Sequence, residues 1–189
     1  MRLSLLTTSL VVAACLGGAG AASAQDTAAA RAAEPAAANP ADVTTIDSLV
    51  TVLYAVISGP VGAPRQWDRM RTLFHPEARL IPTGCDTAGT CRARVMTVAG
   101  YIERADSLLR AIGFREVEIA RRTVRYGNVA HAFSTYESYR FDETAPFTRG
   151  INSIQLLWDG KRWWVMNVFW DSERPGNPIP AEYETGTGQ

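Results

Sequence analysis

Beyond residue 41 the chain switches between two hydrophobic rhythms. Ile46, Leu49, Val50, Leu53, Tyr54 and Ile57 fall three and four apart, which predicts a helix over 42–58 with one buried stripe. Thr44 or Thr45 can cap its start, and Gly59-Pro60 stops it. Trp67, Met70 and Phe74 repeat the pattern in a shorter helix over 65–74 that ends at His75-Pro76, and 78–82 reads as a short strand. A third helix over 97–112 carries Tyr101, Ile102, Ala105, Leu108, Leu109 and Ile112 on one side. Thr97 stands at its start and Gly113 at the C-cap position.

From there the period shortens to two. Residues 114–126 and 129–140 flank Gly127-Asn128 as a long hairpin. Residues 149–173 hold two runs rich in Val, Ile, Phe and Trp around Asp159-Gly160, a strong local hairpin signal. Helices gathered ahead of a strand meander predict an α+β domain, with three N-terminal helices packed on one face of a curved antiparallel sheet.

The ends read differently. Arg2, the apolar run 3–20 and Ala22-Ser23-Ala24 have the form of an export signal over 1–24, with cleavage before Gln25. Val12-Ala13-Ala14-Cys15 resembles a bacterial lipobox, so the alternative is a lipid on Cys15 and a membrane tether. The expected location is periplasmic or secreted, or membrane-tethered as a lipoprotein. Residues 25–43 are dominated by small and polar side chains, interrupted by Pro35 and Pro40, and read as a disordered linker. The domain then spans 44–174. The tail 175–189 opens on Pro175-Gly176-Asn177-Pro178-Ile179-Pro180, which holds no regular element.

Composition narrows the function by exclusion. Nineteen basic residues balance nineteen acidic ones, which gives no electrostatic footprint for nucleic acid or an anionic membrane. Cys85 and Cys91 have five residues between them. In an exported chain they point to a small disulfide loop, because two thiols without a nearby His or third Cys do not make a zinc site. No metal or cofactor motif is present, so neither is expected.

Three stretches carry a family resemblance: Leu73-Phe74-His75-Pro76-Glu77-Ala78, Gly127-Asn128-Val129-Ala130, and Asp159-Gly160-Lys161-Arg162-Trp163. With the element order, they make 44–173 resemble the NTF2-like (SnoaL-like) superfamily. Its cone-shaped fold is shared by nuclear transport factor 2, ketosteroid isomerases, scytalone dehydratase and limonene epoxide hydrolases. The resemblance implies a mostly apolar pocket for a small apolar or amphipathic ligand, and a homodimer formed through the outer sheet face.

The pocket wall is then assigned by strand parity. A turn at Asp159-Gly160 pairs Leu156 with Trp163, Ile154 with Val165 and Asn152 with Asn167, all taken as inward, and the parity continues to Phe169 and Asp171. Asn152, Asn167, Trp163, Phe169 and Tyr54 are the candidate ligand-binding residues. The two asparagines either satisfy each other or orient a ligand. Ser153, Gln155, Arg162, Trp164, Met166 and Trp170 fall on the outer face, the mixture of an interface.

For chemistry the candidates are Asp171, Tyr136, His131 and Tyr54. Ketosteroid isomerases use a helix-one tyrosine as oxyanion donor, the place Tyr54 would take. Their base is an aspartate before the proline of the first strand, and here Ile81 precedes Pro82. A scytalone dehydratase-like reaction would need His and Asp converging with tyrosines. An epoxide hydrolase-like one would draw on Asp171, Arg149 and Glu173. His75 suits a turn role. Ala130, Ala132, Ser134 and Tyr136 are placed inward and His131 outward; the opposite parity would make His131 and Glu137 the acid/base pair. Three classes stay open: a small-molecule binder, a lyase, isomerase or hydrolase, and a non-catalytic interaction module.

Overall fold

The structure, a computed structural model, describes residues 37–185; the export signal, the lipobox around Cys15 and most of the linker lie outside them. Helix α1 (Pro40–Val43) is a single turn capped by Asn39, and α2 (Ile46–Ile57) starts at Thr45. The Thr45 hydroxyl accepts from the Ser48 backbone N–H while the Ser48 hydroxyl accepts from that of Thr45, a reciprocal cap. Helix α3 (Trp67–Leu73) leads directly into strand β1 (Phe74–Cys85), which is longer than the expected 78–82. After the short β2 (Cys91–Ala93) comes α4 (Val98–Ile112), capped by Thr97, and then β3 (Phe114–Tyr126), β4 (Val129–Arg140), β5 (Thr148–Trp158) and β6 (Trp163–Ser172). The fold class is α+β, as the order of periodicities implies.

Six strands form one curved, open sheet in the order β2-β1-β6-β5-β4-β3. Every pairing is antiparallel except β1 with β6, which is parallel. That exception follows from connectivity: β1 precedes the meander and closes on its last strand, with α4 in the crossover. The core lies between the concave face and the helices, where Leu49, Val50, Val56, Leu73, Ile154 and Val165 are fully buried. Asp159 holds the β5–β6 turn, its Oδ1 accepting from the backbone N–H groups of Lys161 and Arg162 and its Oδ2 from the Trp164 indole.

Two boundaries differ from those the composition suggested. Pro40–Val43, grouped with the disordered linker, is folded onto the domain because Val43 enters the core and the buried Asp42 carboxylate meets the Arg69 guanidinium through two hydrogen bonds of 2.7 Å. The tail includes a 3-10 turn, η1 (Ala181–Tyr183), laid on the outer sheet face, where Tyr183 stacks on Phe133 and its carbonyl accepts from the Thr135 hydroxyl at 2.6 Å. Cys85 and Cys91 face each other across β1 and β2, joined by a disulfide with Cα atoms 3.9 Å apart.

Candidate functional site

The assumed parity of the central hairpin holds on β5 and for the first three residues of β6 only. Leu156 pairs with Val165, but Gln155 pairs with Asn167, so Met166 is an extra residue bulged out of β6. One extra residue inverts the facing of everything after it. Trp163 and Val165 therefore point inward as expected. Past the bulge Val168, Trp170 and Ser172 point inward, while Asn167, Phe169 and Asp171 turn outward. Asn152 faces Trp170 rather than Asn167. No spacing announces a bulge, and the correction exchanges Trp170 for Phe169 in the cavity wall.

The concave face and the helices enclose a cavity of about 230 Å³. Its apolar wall comes from Leu53 and Ile57 on α2, Met70 on α3, Leu80 on β1, Phe114 on β3 and Val168 on β6. Tyr54, Asn152 and Tyr136, all candidates from the sequence, line it too. Gly150 makes room for the last of these, since a Cβ there would lie 2.5 Å from the Tyr136 hydroxyl. Burial pushes the Tyr136 hydroxyl up to about 12, and its hydrogen bond with the Ser172 hydroxyl is long at 3.3 Å. Trp163 is buried in the core beside Trp158, away from the cavity.

The remaining candidates lie elsewhere. His131 is on the outer face, as placed, with Nε2 2.8 Å from the Ser153 hydroxyl, and burial lowers its pKa. His75 takes a turn role, Nδ1 accepting the Glu77 backbone N–H at 3.2 Å. Asp171 accepts from Arg174 at 2.7 Å at the rim of a second cleft under the tail. Arg149 and Glu173 do not reach the cavity; Arg149 pairs with Glu137, Glu173 and Glu184 beside the tail. Trp164, on the outer face, lies beneath the Arg162 guanidinium at 3.6 Å and meets the edge of His75.

The group sequence reasoning missed is Glu116. It alternates with Phe114 and Glu118 on the inward face of β3, opposite Ser138 on β4, and lines the cavity. One carboxylate oxygen, Oε2, accepts the Ser138 hydroxyl at 2.6 Å; the other has no hydrogen-bond partner among the described residues. Burial pushes its pKa up to about 7, and the Ser138 hydrogen bond only partly opposes that. Glu116 is half-buried and lines the cavity. The one available signal was strand parity, since Glu116 sits two residues after the buried Phe114, but an acidic residue in Arg115-Glu116-Val117-Glu118 reads as a solvated face.

Two more groups complete the wall. Tyr101 on α4 is held edge-on between Trp67 and Trp170, and its hydroxyl has no partner among the described residues. Burial, with Glu116 nearby, raises its pKa. Tyr54 is committed to neighbours: its hydroxyl lies 2.6 Å from Ser134 Oγ and accepts from Asn152 Nδ2 at 3.0 Å. Burial raises its pKa as well. The cavity thus brings a carboxyl group whose pKa burial pushes up to about 7 and a phenol without a partner among the described residues to one partly apolar space.

A curved open sheet closed over by helices, with Glu116, Tyr136, Ser138 and Asn152 turned into the concavity, defines a cone-type α+β protein. No family model matches the chain, and no curated protein matches it. Among solved structures it is similar to a protein of unknown function with a cystatin-like fold from Nostoc punctiforme, with 7% identity, a TM-score of 0.49, and coverage of 69% of this chain and 94% of that one. It is also similar to an NTF2-like protein of unknown function from Shewanella baltica, with 13% identity, a TM-score of 0.41, and coverage of 69% and 98%. A third, an NTF2-like protein of unknown function from Methylobacillus flagellatus, shows 15% identity, a TM-score of 0.42, and coverage of 69% and 96%. Likeness at this level concerns the general architecture and says nothing about activity.

Proposed function

We propose that the cavity binds a small, largely apolar molecule and that Glu116 exchanges a proton with it. The observation that carries this reading is a half-buried carboxyl group lining a partly apolar cavity, with its pKa pushed up to about 7 and one oxygen without a partner among the described residues. A group poised near neutrality acts as base or acid with little cost in either state. The Tyr101 hydroxyl supplies a donor for an oxygen on which charge develops, and the Ser138 hydroxyl holds the carboxyl group in place. Of the three classes left open by the sequence, converging ionisable groups favour acid–base chemistry over pure binding.

Export to an oxidising compartment belongs to the same proposal, supported by the Cys85–Cys91 disulfide. Among the described residues no helix is long and apolar enough to cross a membrane.

The test uses 1-indanone, whose C2 protons are acidic and whose frame suits a cavity of this size. Deuterium incorporation at C2 in heavy water, followed by NMR, is expected to be faster with the wild-type chain than with Glu116→Gln. The advantage should be lost as pH falls below about 7. Equal exchange by the two proteins at every pH would remove Glu116 from the chemistry.

A further inference from the structure

The hydrogen bonds behind the cavity wall run in one direction, and that direction decides what the wall offers a ligand. Glu118 on β3 accepts the Ser134 hydroxyl on Oε1. A serine has a single hydrogen, so with that one committed, Ser134 can only accept from Tyr54, 2.6 Å away. Tyr54 in turn has no hydrogen left, and its oxygen can only accept from Asn152 Nδ2 at 3.0 Å. With Glu118 ionised, the orientation of the Asn152 amide follows from this chain of single hydrogens. Its carbonyl oxygen, Oδ1, is left without a partner among the described residues, on a side chain that lines the cavity.

Glu118 is the anchor of this relay. Arg121 Nε lies 3.4 Å from Oε1, and Arg121 also pairs at 2.5 Å with Asp47, which is exposed on α2. Burial raises the pKa of Glu118, while Ser134 and Arg121 favour its ionised form and Asp47 opposes it.

The geometry points to a donor-reading site: Asn152 Oδ1, locked as an acceptor by the Tyr54–Ser134–Glu118 relay, selects ligands that carry a hydroxyl or N–H at that position over those that carry only a carbonyl. This rests on the cavity being a ligand site and names the chemical class it takes. A carbonyl placed against Oδ1 would meet an acceptor with an acceptor. Asn152 is the residue that contacts the ligand here, and Tyr54 and Ser134 position it; all three are distinct from Glu116.

Removing the relay reverses the amide. In Ser134→Ala the Tyr54 hydroxyl is free to donate to Asn152 Oδ1, which turns the NH₂ group toward the cavity. Glu118→Met reaches the same state by another route, since Ser134 then donates to Tyr54 and Tyr54 to Asn152. The experiment has two readouts at pH 8 on the full chain. The first is independent of any ligand: a nuclear Overhauser cross-peak between the Asn152 side-chain N–H protons and the Tyr54 ring is expected in the wild type and should vanish in both variants.

The second is the ratio of dissociation constants for 1-indanol and 1-indanone, one carbon frame with and without a donor. The wild type is expected to favour the alcohol about fivefold, and both variants to bring the pair to parity or beyond. A cross-peak unchanged in both variants overturns the relay whatever the probes do. Its disappearance with the alcohol preference intact overturns the selection. Failure of both probes to bind the wild type refutes the cavity as a ligand site, and with it the selection, while the Overhauser readout still decides the relay.

Discussion

Replacing Glu116 with glutamine should make the protein more stable at neutral and alkaline pH, and the size of the gain follows from the burial of the carboxyl group. In the folded chain the group's pKa is raised from 4.5 to about 7. The unfolded chain therefore loses this proton first as pH rises. The folded state's advantage from the protonated group is full below 4.5, falls as pH rises toward 7, and is gone above it. At 1.36 kcal/mol per pH unit the wild type loses about 2.5 kcal/mol between pH 5 and pH 8 through this one group. Glutamine keeps the shape and an acceptor for Ser138 but does not ionise.

The difference in unfolding free energy between Glu116→Gln and wild type should therefore grow by about 2.5 kcal/mol over that interval in favour of the variant, or roughly 5–10 °C in Tm for a domain of this size. Urea titrations and thermal melts of both proteins at pH 5, 6, 7 and 8 measure it, and taking the difference cancels every other titrating group. A difference that stays constant across the four pH values would refute the reasoning. It would mean that water fills the cavity and solvates the carboxylate, leaving Glu116 an ordinary acid and removing the ground for the proposed chemistry.

Two further outcomes concern the frame around the site. Arg65, only 5% exposed, donates from its guanidinium to the carbonyls of Gly59, Ala63 and Leu109 at 2.8, 2.9 and 2.6 Å and so ties the α2–α3 loop to α4; Arg65→Met should cost about 2–3 kcal/mol in urea unfolding by stranding those acceptors. The Arg69 guanidinium beside Asp42 holds its carboxyl below the usual range, so this pair stabilises the fold above the unfolded pKa and is lost as pH falls through the folded one. Asp42→Asn should cost about 2 kcal/mol at pH 7 and little at pH 2.5, because one partner stays partly solvated; a penalty that persists in acid would show that α1 docks through Val43 instead.

The helices were legible because each carries its own instructions: Thr45 and Thr97 cap α2 and α4 as their positions suggested, and the apolar stripes lie where the three-and-four spacing put them. The β3–β4 hairpin was legible for the same reason, a Gly-Asn turn between alternating runs. A few residues of the cavity wall were legible, Asn152 and Tyr136 by strand parity and Tyr54 by its place on α2, with His131 outside. The β6 part of the wall was not, because the bulge at Met166 inverts facing without changing composition. Glu116 was hidden by the opposite problem, an acidic residue in a charged run that parity alone assigns to the interior.

Local sequence thus determined the three longer helices, the capped starts of α2 and α4, the α+β order, and the cysteine pair that closes its own loop, because each depends on residues close together in the chain; the full length of β1 and the short β2 were not among them. Tertiary structure alone decided the parallel closure of β1 on β6, the docking of Pro40–Val43 and of the tail, and the chemistry of the cavity. Those depend on which side chains from α2, α4, β3 and β4 converge. The near-neutral pKa of Glu116 is a property of the water kept away from it, which no neighbour in sequence can specify.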